Sequence, residues 1–263
     1  MGDTYTHGHH ASVLKSHNWR TLANSAAYLI PHLTRGSGVL DVGCGPGNLT
    51  AEMAERVAPA PVIGVDYASV IVDAAQQTHQ RRNLSFAVGD VYGLNYPDNS
   101  FDVVHAHQVL QHLTDPVAAL QEMMRVTRPG GLLAVRDADY EAMQWFPEPH
   151  GLDRWRDLYL LVARSNGAEP SAGRRLLSWA HEAGLSSIVP SADTWCFATP
   201  DDREWWSSLW AERTVKSSFG HQAVERGLAT EAELRNIADA WRLWGREADG
   251  WFIVPNAELI CRV

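Results

Sequence analysis

The chain has 263 residues, of which 45% are hydrophobic and 20% are charged, and this composition is typical of a globular protein of one domain. The formal net charge is −9 without a cluster of basic residues, and this excludes nucleic acid as an expected partner, because phosphate binding needs concentrated Lys and Arg. The first residues lack the apolar segment of a signal peptide, no apolar run approaches about 18 residues, and the cysteines are too few for a disulfide framework, so we expect a cytoplasmic protein without a membrane span.

The first 36 residues predict a helical N-terminal arm or lid. Residues 1–17 carry four histidines without a cysteine beside them, so a polar surface segment or a lid over a ligand is favoured over a metal site, and we expect no metal. Residues 19–33 predict a helix whose buried side includes Leu22, Ala26 and Leu29. Pro31 and Gly36 mark its end.

Residues 37–139 alternate apolar strands with helical patterns. This alternation predicts an α/β fold with a doubly wound, mainly parallel sheet. Ligands of such sheets bind outside the carboxyl ends of the strands. The predicted strands are residues 38–42, 62–66, 84–88, 101–107 and 132–136. The side chains expected at their carboxyl ends are Asp41, Asp66, Asp90, His107 and Asp137.

A glycine turn follows the first predicted strand. Gly43 and Gly45 fit the start of a dinucleotide fingerprint, but Asn48 stands where its third glycine is required. A phosphate-binding P-loop is excluded because no Gly-Lys-Ser or Gly-Lys-Thr follows the turn. The remaining pattern is D-x-G-x-G-x-G, which begins at Asp41 and ends at Gly47.

Four stretches in order resemble the class I S-adenosylmethionine-dependent methyltransferases. They are VLDVGCGPGNLT (39–50), VIGVDYAS (62–69), VGDVYGLNYPDNSFDVVHAHQVLQHLTDP (88–116) and RVTRPGGLLAVRD (125–137). The resemblance implies a seven-stranded Rossmann-like sheet that binds S-adenosylmethionine. We expect a small-molecule acceptor, whose identity must be read outside these four stretches, because the fold hosts many substrates.

The resemblance also implies which residues contact the cofactor. Asp66 would take the ribose hydroxyls while Tyr67 packs on the adenine, and Asp90 would accept the adenine amino group. We expect Arg20 to pair with the cofactor carboxylate. The other expected contacts are Tyr5 and His10 from the arm, Gly43, Cys44 and Gly45 from the glycine turn, Gly89 and Val91 beside the adenine, and His107 and Gln108 near the reactive methyl.

The rest of the chain predicts an aromatic cap and a last strand. Residues 140–250 are expected to complete the core with helical insertions. Residues 251–263 predict a strand, and Pro255 within it indicates an edge position. Ten of the eleven tryptophans fall between Trp145 and Trp251. We expect part of the cap to close over a flat apolar substrate, although each aromatic side chain has helix core as its alternative. The side chains proposed to contact substrate are Trp145, Phe146, Trp205, Trp206 and Trp210.

Residues 5–33, 136–140, 152–155 and 249–251 resemble a narrower group, the gliotoxin and holomycin-type thiol methyltransferases. This likeness implies S-methylation of a small reduced disulfide-containing natural product. His107 and Asp137 are the candidates for proton transfer, with cofactor contact and loop anchoring as their respective alternatives. C- or O-methylation of a quinone or polyketide and a catalytically silent cofactor-binding module remain open, as do a monomer and a homodimer. A nicotinamide dehydrogenase is a weaker alternative.

Overall fold

Eight strands form one sheet in the computed structural model, which describes residues 6, 8, 10–148 and 150–263. The strands are β1 (Val39–Val42), β2 (Val62–Asp66), β3 (Leu84–Val88), β4 (Phe101–His107), β5 (Thr127–Ala138), β6 (Gln144–Phe146), β7 (Ser187–Phe197) and β8 (Trp251–Arg262). The helices are α1 (Ala11–Asn18), α2 (Leu22–Ser25), α3 (Asn48–Val57), α4 (Ser69–Thr78), α5 (Pro116–Val126), α6 (His150–Ser165), α7 (Leu176–Glu182), α8 (Pro200–Lys216), α9 (Ser218–Glu225) and α10 (Glu231–Arg246).

The parallel part of the sheet has the strand order β3-β2-β1-β4-β5. Strand β8 runs antiparallel to β5 on one side and to β7 on the other, and the short β6 pairs with its first residues. The prediction of a doubly wound, mainly parallel α/β sheet is confirmed. Strand β6 is an eighth strand beyond the seven expected.

The prediction that residues 251–263 form an edge strand was wrong. Leu259 pairs with Val135 of β5 and with Pro190 of β7, so β8 lies inside the sheet. Pro255 is tolerated there because it falls between the end of the β5 pairing at Asn256 and the start of the β6 pairing. The Pro255 carbonyl accepts from the Asp139 amide on the side of β8 that faces β5 and β6. The Pro255 nitrogen points to the same side, between the two pairings, where the ladder needs no donor.

The single helix expected over residues 19–33 is divided. Helix α2 begins with a reciprocal capping box between Thr21 and Asn24, and it ends at Ala26, whose φ of −147° is not helical. A 3₁₀ helix follows over Ala27–His32 and contains Pro31, which has no N–H to donate to an α-helical turn.

Two apolar cores cover the two faces of the sheet, and a third fills the cap. Helices α2 and α3 pack on one face through Leu22 and Met53, whereas α5 and α7 pack on the other through Leu120 and Leu176. The cap core joins α6, α8, α9 and α10 to β6, β7 and the start of β8. It contains the buried tryptophans Trp145, Trp155, Trp195, Trp206, Trp210, Trp241 and Trp244.

No helix in residues 10–148 or 150–263 combines the length and the apolar character that crossing a membrane requires. The same part of the chain contains no group of His, Cys, Asp or Glu side chains arranged to hold a metal ion.

Candidate active site

The glycine turn between β1 and α3 needs glycine for two separate reasons. Gly43 and Gly45 have φ values of +67° and +55°, which L side chains rarely adopt. A Cβ on Gly43 would also lie 2.3 Å from Cγ2 of Val109, so the backbone of the turn approaches the end of β4 closely. The amide of Gly45 donates to Oδ2 of Asp66 over 3.0 Å and ties the turn to the end of β2.

Asp41 braces this turn from inside the protein. Its Oδ2 accepts from the hydroxyl of Thr50 on α3 over 2.6 Å, and its Oδ1 lies 2.8 Å from Nδ1 of His105 on β4. Both Asp41 and His105 are buried. The carboxylate therefore joins β1, β4 and α3 beneath the turn.

A cavity of about 360 Å³ lies above the carboxyl ends of the parallel strands. Most of the residues expected to hold a cofactor line it together: Arg20, Gly43, Cys44, Gly45, Asp66, Tyr67, Gly89, Asp90, Val91, His107 and Gln108. Burial and the carboxylates of Asp41 and Asp66 raise the pKa of Cys44, so its thiol stays protonated and unreactive.

Two further residues, Tyr5 and His10, were expected to contact the cofactor. Tyr5 lies outside the described residues. His10 does not line the cavity; instead its Nδ1 accepts from the amide of Ser12 over 3.2 Å and caps α1. The sequence expectation for His10 is therefore corrected from cofactor contact to helix capping.

Helix α1 and the residues after it lie over the glycine turn. The Asn18 carbonyl accepts from Nδ2 of Asn48 over 2.9 Å, and His17 and Arg20 line the cavity. Arg213 of α8 fixes the other side of the helix by donating from Nη2 to the Ser12 carbonyl and, over 2.9 Å, to the Ser16 hydroxyl. The arm is therefore part of the cavity wall.

Gln108 follows β4 with a φ of +54°, a conformation that costs energy outside glycine. Its Oε1 accepts from Arg20 Nη2 over 2.9 Å and its Nε2 donates to Oδ1 of Asn256 over 3.1 Å. Its backbone amide donates to the Arg136 carbonyl over 2.7 Å. These three bonds hold the strained residue and position Arg20 at the cavity.

His107 lines the cavity but is a poor base. It is buried, and its ring centroid lies 5.8 Å from that of Trp195. Burial and the nearby charges of Arg20 and Arg136 hold the pKa of His107 well below its usual value. The imidazole is therefore neutral at pH 7 and has little affinity for a proton, which argues against proton abstraction by His107.

Asp137, the second candidate for proton transfer, does not line the cavity, and its expected role stays a prediction. Its Oδ1 accepts from the amide of Gln111 over 3.2 Å and anchors the 3₁₀ turn of Leu110–His112. Burial raises the pKa of Asp137 to about 7. The carboxyl group thus positions a turn whose Gln111 and His112 do reach the cavity.

The cap side of the cavity is aromatic, but only part of it was expected. Trp206 and Trp210 line it, whereas Trp145, Phe146 and Trp205 do not. Trp145 stacks on Phe252 within the cap core with ring centroids 5.5 Å apart. Phe146 is 54% exposed at the outer surface, and Trp205 packs on Trp19 and Phe197. The substrate role expected for these three is therefore corrected to packing and surface exposure.

Sequence reasoning missed several residues that line the cavity: His17, His112, Tyr140, Met143, Trp195 and Arg213. Trp195 lies on β7, which pairs with β8. Its indole Nε1 donates to the Asn24 carbonyl, and the Arg20 guanidinium lies 5.7 Å from its ring centroid. The position of Arg213 could not be predicted from a local pattern, because it lies on α8 and the residues that it bonds lie on α1.

The charges that line the cavity are separated. The lining carboxylates among the described residues are Asp41, Asp66 and Asp90, which belong to the ends of β1, β2 and β3. The guanidinium of Arg20 bonds Gln108 after β4, and that of Arg213 lies over Trp210 in the cap. The end of the cavity with the carboxylates therefore suits hydroxyl and amino groups or a cation.

Residues 40–135 match the methyltransferase domain family. An uncharacterized methyltransferase of Schizosaccharomyces pombe is 35% identical over 97% of this chain and 95% of its own length. A demethylmenaquinone methyltransferase of Renibacterium salmoninarum is 31% identical over 68% of this chain and 73% of its own.

The fold is also similar to that of a solved methyltransferase complex. The phosphoethanolamine N-methyltransferase 2 of Haemonchus contortus, with phosphomonomethylethanolamine and S-adenosylhomocysteine bound, matches at a TM-score of 0.54 and 18% identity. The match covers 87% of this chain and 49% of that one.

The donor set at the strand ends fits S-adenosylmethionine. The glycine turn has no lysine and faces carboxylates, which suits a cofactor that carries a sulfonium cation and no phosphate. The strand order, the turn and the likeness over nearly the whole length agree: the chain belongs to the class I S-adenosylmethionine-dependent methyltransferases.

Proposed function

We propose that the protein methylates thiol sulfur in a small, flat, reduced dithiol. The observation that carries the proposal is the absence of a carboxylate from the acceptor side of the cavity in the described residues, together with a histidine whose pKa is held low. Asp41, Asp66 and Asp90 lie at the other end, and His107 is a weak base, so these side chains provide no strong base on the acceptor side. Such a site suits an acceptor that ionises with little help.

A thiol meets this requirement better than an alcohol. Its pKa is about 8.5, so a few per cent is thiolate at pH 7, and the thiolate is an intrinsically strong nucleophile. An aliphatic alcohol would need a positioned general base. Among the described residues that line the cavity, the carboxylates belong to the glycine-turn end. The distribution of acids therefore favours sulfur.

The residues of the strand ends are proposed to hold the cofactor. Asp66 would bind the ribose hydroxyls and Asp90 the adenine amino group, as the family resemblance implies, and Arg20 is proposed to pair with the cofactor carboxylate. When bound, S-adenosylmethionine supplies an electrophilic methyl group. The chain's own contribution is to align that group with the acceptor, and positioning of this kind is worth up to about 7–11 kcal/mol.

The aromatic side chains are proposed to hold the acceptor ring. Trp206 and Trp210 of α8 and Trp195 of β7 line the cavity with Tyr140, and all four are at least nine-tenths buried. Flat apolar walls favour a flat heterocycle and exclude water from the transfer. They do not by themselves select the acceptor atom.

Methylation of a quinone-type ring is the second candidate. It is favoured by the likeness to a demethylmenaquinone methyltransferase and by the same aromatic walls. The relevant acceptor would be the ionised, reduced ring.

One assay separates these functions. The protein is incubated with S-adenosylmethionine and 1,2-benzenedimethanethiol, its oxidised disulfide, or hydroquinone, and products are followed by mass spectrometry. We expect one or two methyl groups on the dithiol and none on the disulfide. Methylation of hydroquinone without methylation of either sulfur compound would show that the thiol proposal is wrong. Tight binding of S-adenosylhomocysteine without transfer to any acceptor would identify a silent binding module.

A further inference from the structure

We propose that Asn256 is a positioning residue for methyl transfer, because it orients the side chain of Gln108 and through it holds the N-terminal arm against the cavity. The inference goes beyond the proposed function, since it applies whichever acceptor is methylated. It begins from a relay of hydrogen bonds between β8 and the arm. The relay consists of the Val254 carbonyl, the side-chain amides of Asn256 and Gln108, and the Arg20 guanidinium.

Asn256 lies behind the wall of the cavity. It pairs with Ala138 of β5 on one side of β8 and with Asp193 of β7 on the other. Its side chain is only 1% exposed and does not line the cavity, whereas Val254 of the same strand does. Any effect of Asn256 on a bound ligand must therefore pass through a neighbouring residue.

The two ends of the relay fix the orientation of both amides. A backbone carbonyl only accepts hydrogen bonds, and a guanidinium only donates them. Because Asn256 Nδ2 donates to the Val254 carbonyl over 2.8 Å, its Oδ1 faces Gln108 and accepts from Nε2 over 3.1 Å. The Gln108 oxygen is thereby turned to Arg20, whose Nη2 donates to it over 2.9 Å.

A reversed Gln108 amide would lose two bonds at once. Its Nε2 would face the Arg20 guanidinium as donor against donor, and its Oε1 would face Asn256 Oδ1 as acceptor against acceptor. The backbone of Gln108 is fixed by its φ of +54° and by its bond to the Arg136 carbonyl, but neither feature sets the orientation of the amide. Asn256 therefore selects the orientation that receives Arg20.

Arg20 belongs to the segment of residues 19–25, which contains α2, and it lines the cavity. The carbonyl of Asn18 before this segment accepts from α3, and that of Asn24 within it accepts from Trp195 of β7. The bond from Arg20 to Gln108 adds a connection to the end of β4. Its loss should loosen the segment where it walls the cavity, while the other two bonds keep it attached.

Binding of S-adenosylhomocysteine to the full chain tests this role without an acceptor. Asn256→Leu keeps the size of the side chain but removes its amide. We expect its Kd, measured by calorimetry, to rise about tenfold, which corresponds to about 1.4 kcal/mol. Asn256→Asp keeps an acceptor for Gln108 Nε2, so its Kd should stay within about threefold of the parent. An unchanged Kd in Asn256→Leu would overturn the proposal.

The matched control is Thr127→Val on β5. Thr127 is also buried, at 0% exposure, and its hydroxyl donates to the Met123 carbonyl over 2.7 Å, but it does not line the cavity. Loss of this bond should lower the free energy of unfolding in urea and leave the Kd unchanged. If Thr127→Val weakens binding as much as Asn256→Leu does, the effect of Asn256 is general destabilisation and the proposal fails.

A double-variant cycle shows whether Asn256 acts through Gln108. Gln108→Leu removes both bonds of this side chain in the relay, so Asn256→Leu then has no amide left to orient. In that background it should change the Kd by less than about twofold, although it should still lower stability because the Val254 carbonyl loses its donor. Equal factors in the two backgrounds would mean that Asn256 does not act through Gln108.

Hydrogen exchange of residues 19–25 reports the same contact in the protein without ligand. Asn256→Leu and Gln108→Leu should both speed exchange in this segment and to a similar extent, whereas Thr127→Val should not. Exchange in this segment at the rate of the parent in Asn256→Leu would refute the positioning role. None of these measurements uses a methyl acceptor, so failure of the thiol proposal would leave this inference standing.

Discussion

Gly43 and Gly45 meet their surroundings differently, although both have positive φ. A Cβ on Gly43 would lie 2.3 Å from Val109, whereas the nearest atom to a Cβ on Gly45 is Nδ1 of His17 at 3.9 Å. The first glycine is required by packing and backbone, and the second by backbone and by access to the cavity.

We therefore expect the two alanine substitutions to separate stability from binding. Each substitution should destabilise the protein by about 1–2 kcal/mol, because alanine must then adopt a left-handed backbone conformation. Gly43→Ala should add an overpacking cost of about 1–3 kcal/mol, part of which Val109→Ala restores in the double variant. Gly45→Ala should chiefly weaken S-adenosylhomocysteine binding. Urea denaturation and calorimetry measure the two effects, and equal losses of stability would contradict this account.

Asp137 carries a pH dependence of a definite sign. Its folded pKa of about 7 lies above the ordinary value of 3.8, so between these limits the unfolded chain loses the proton first. The free energy of unfolding should therefore fall as pH rises from about 4 to 7, by at most about 4 kcal/mol from this group. Asp137→Asn should remove that fall and be the more stable protein at pH 8.

The same variant tests the role of Asp137. Because this side chain does not line the cavity, Asp137→Asn should keep methyl transfer within about threefold of the parent, an effect below about 1 kcal/mol. Denaturation midpoints against pH are compared with those of the exposed Asp157→Asn. A loss of activity of about a hundredfold, with the fold intact, would return Asp137 to the candidates for proton transfer.

At the scale of elements, the cap is held by close helix crossings as well as by its tryptophans. Gly151 of α6 faces Ala240 of α10, and a Cβ on Gly151 would lie 2.2 Å from the Ala240 Cβ. The two helices therefore approach with almost no space between them. This contact supports the helices that also bury Trp155 and Trp241.

Gly151→Ala is expected to destabilise the protein by about 1–3 kcal/mol through this overlap. Ala240→Gly alone should cost about 1 kcal/mol as a helix-interior glycine. The double variant should lose less than the sum, with a coupling energy above about 0.5 kcal/mol. Thermal or urea unfolding of the four proteins completes the cycle. If the two losses of stability were strictly additive, Gly151 and Ala240 would not be coupled, and the close approach of α6 and α10 would not be the cause of the loss.

At the scale of the whole molecule, ligand binding should stabilise the fold as a unit. S-adenosylhomocysteine at a hundred times its Kd adds about 2.7 kcal/mol. For a chain of this size the expected rise in Tm is about 5–10 °C. NADH at the same concentration is the control and should leave Tm unchanged. A rise with NADH alone would favour the dehydrogenase alternative.

Local signals predicted the strand-end residues that line one end of the cavity, whereas long-range contacts form the other end. Asp66 and Gly43 follow strands that alternate with helices, and the carboxyl ends of such parallel strands share one edge of the sheet, so their meeting could be inferred from the chain. Arg213 and Ser12 are 201 residues apart, and nothing in either segment indicates their bond. The tryptophans show the same limit: periodicity predicts a buried helix face, but not whether it meets core or cavity.

The interior place of β8 has a consequence for synthesis. This strand leaves the ribosome after β5, β6 and β7, yet it pairs with all three. Until it emerges, β5 has an open outer edge and β7 has no partner in the sheet. Open edges recruit strands from other chains. The growing polypeptide is therefore most vulnerable to aggregation just before its last strand appears, and slow translation of that segment should lower the soluble yield.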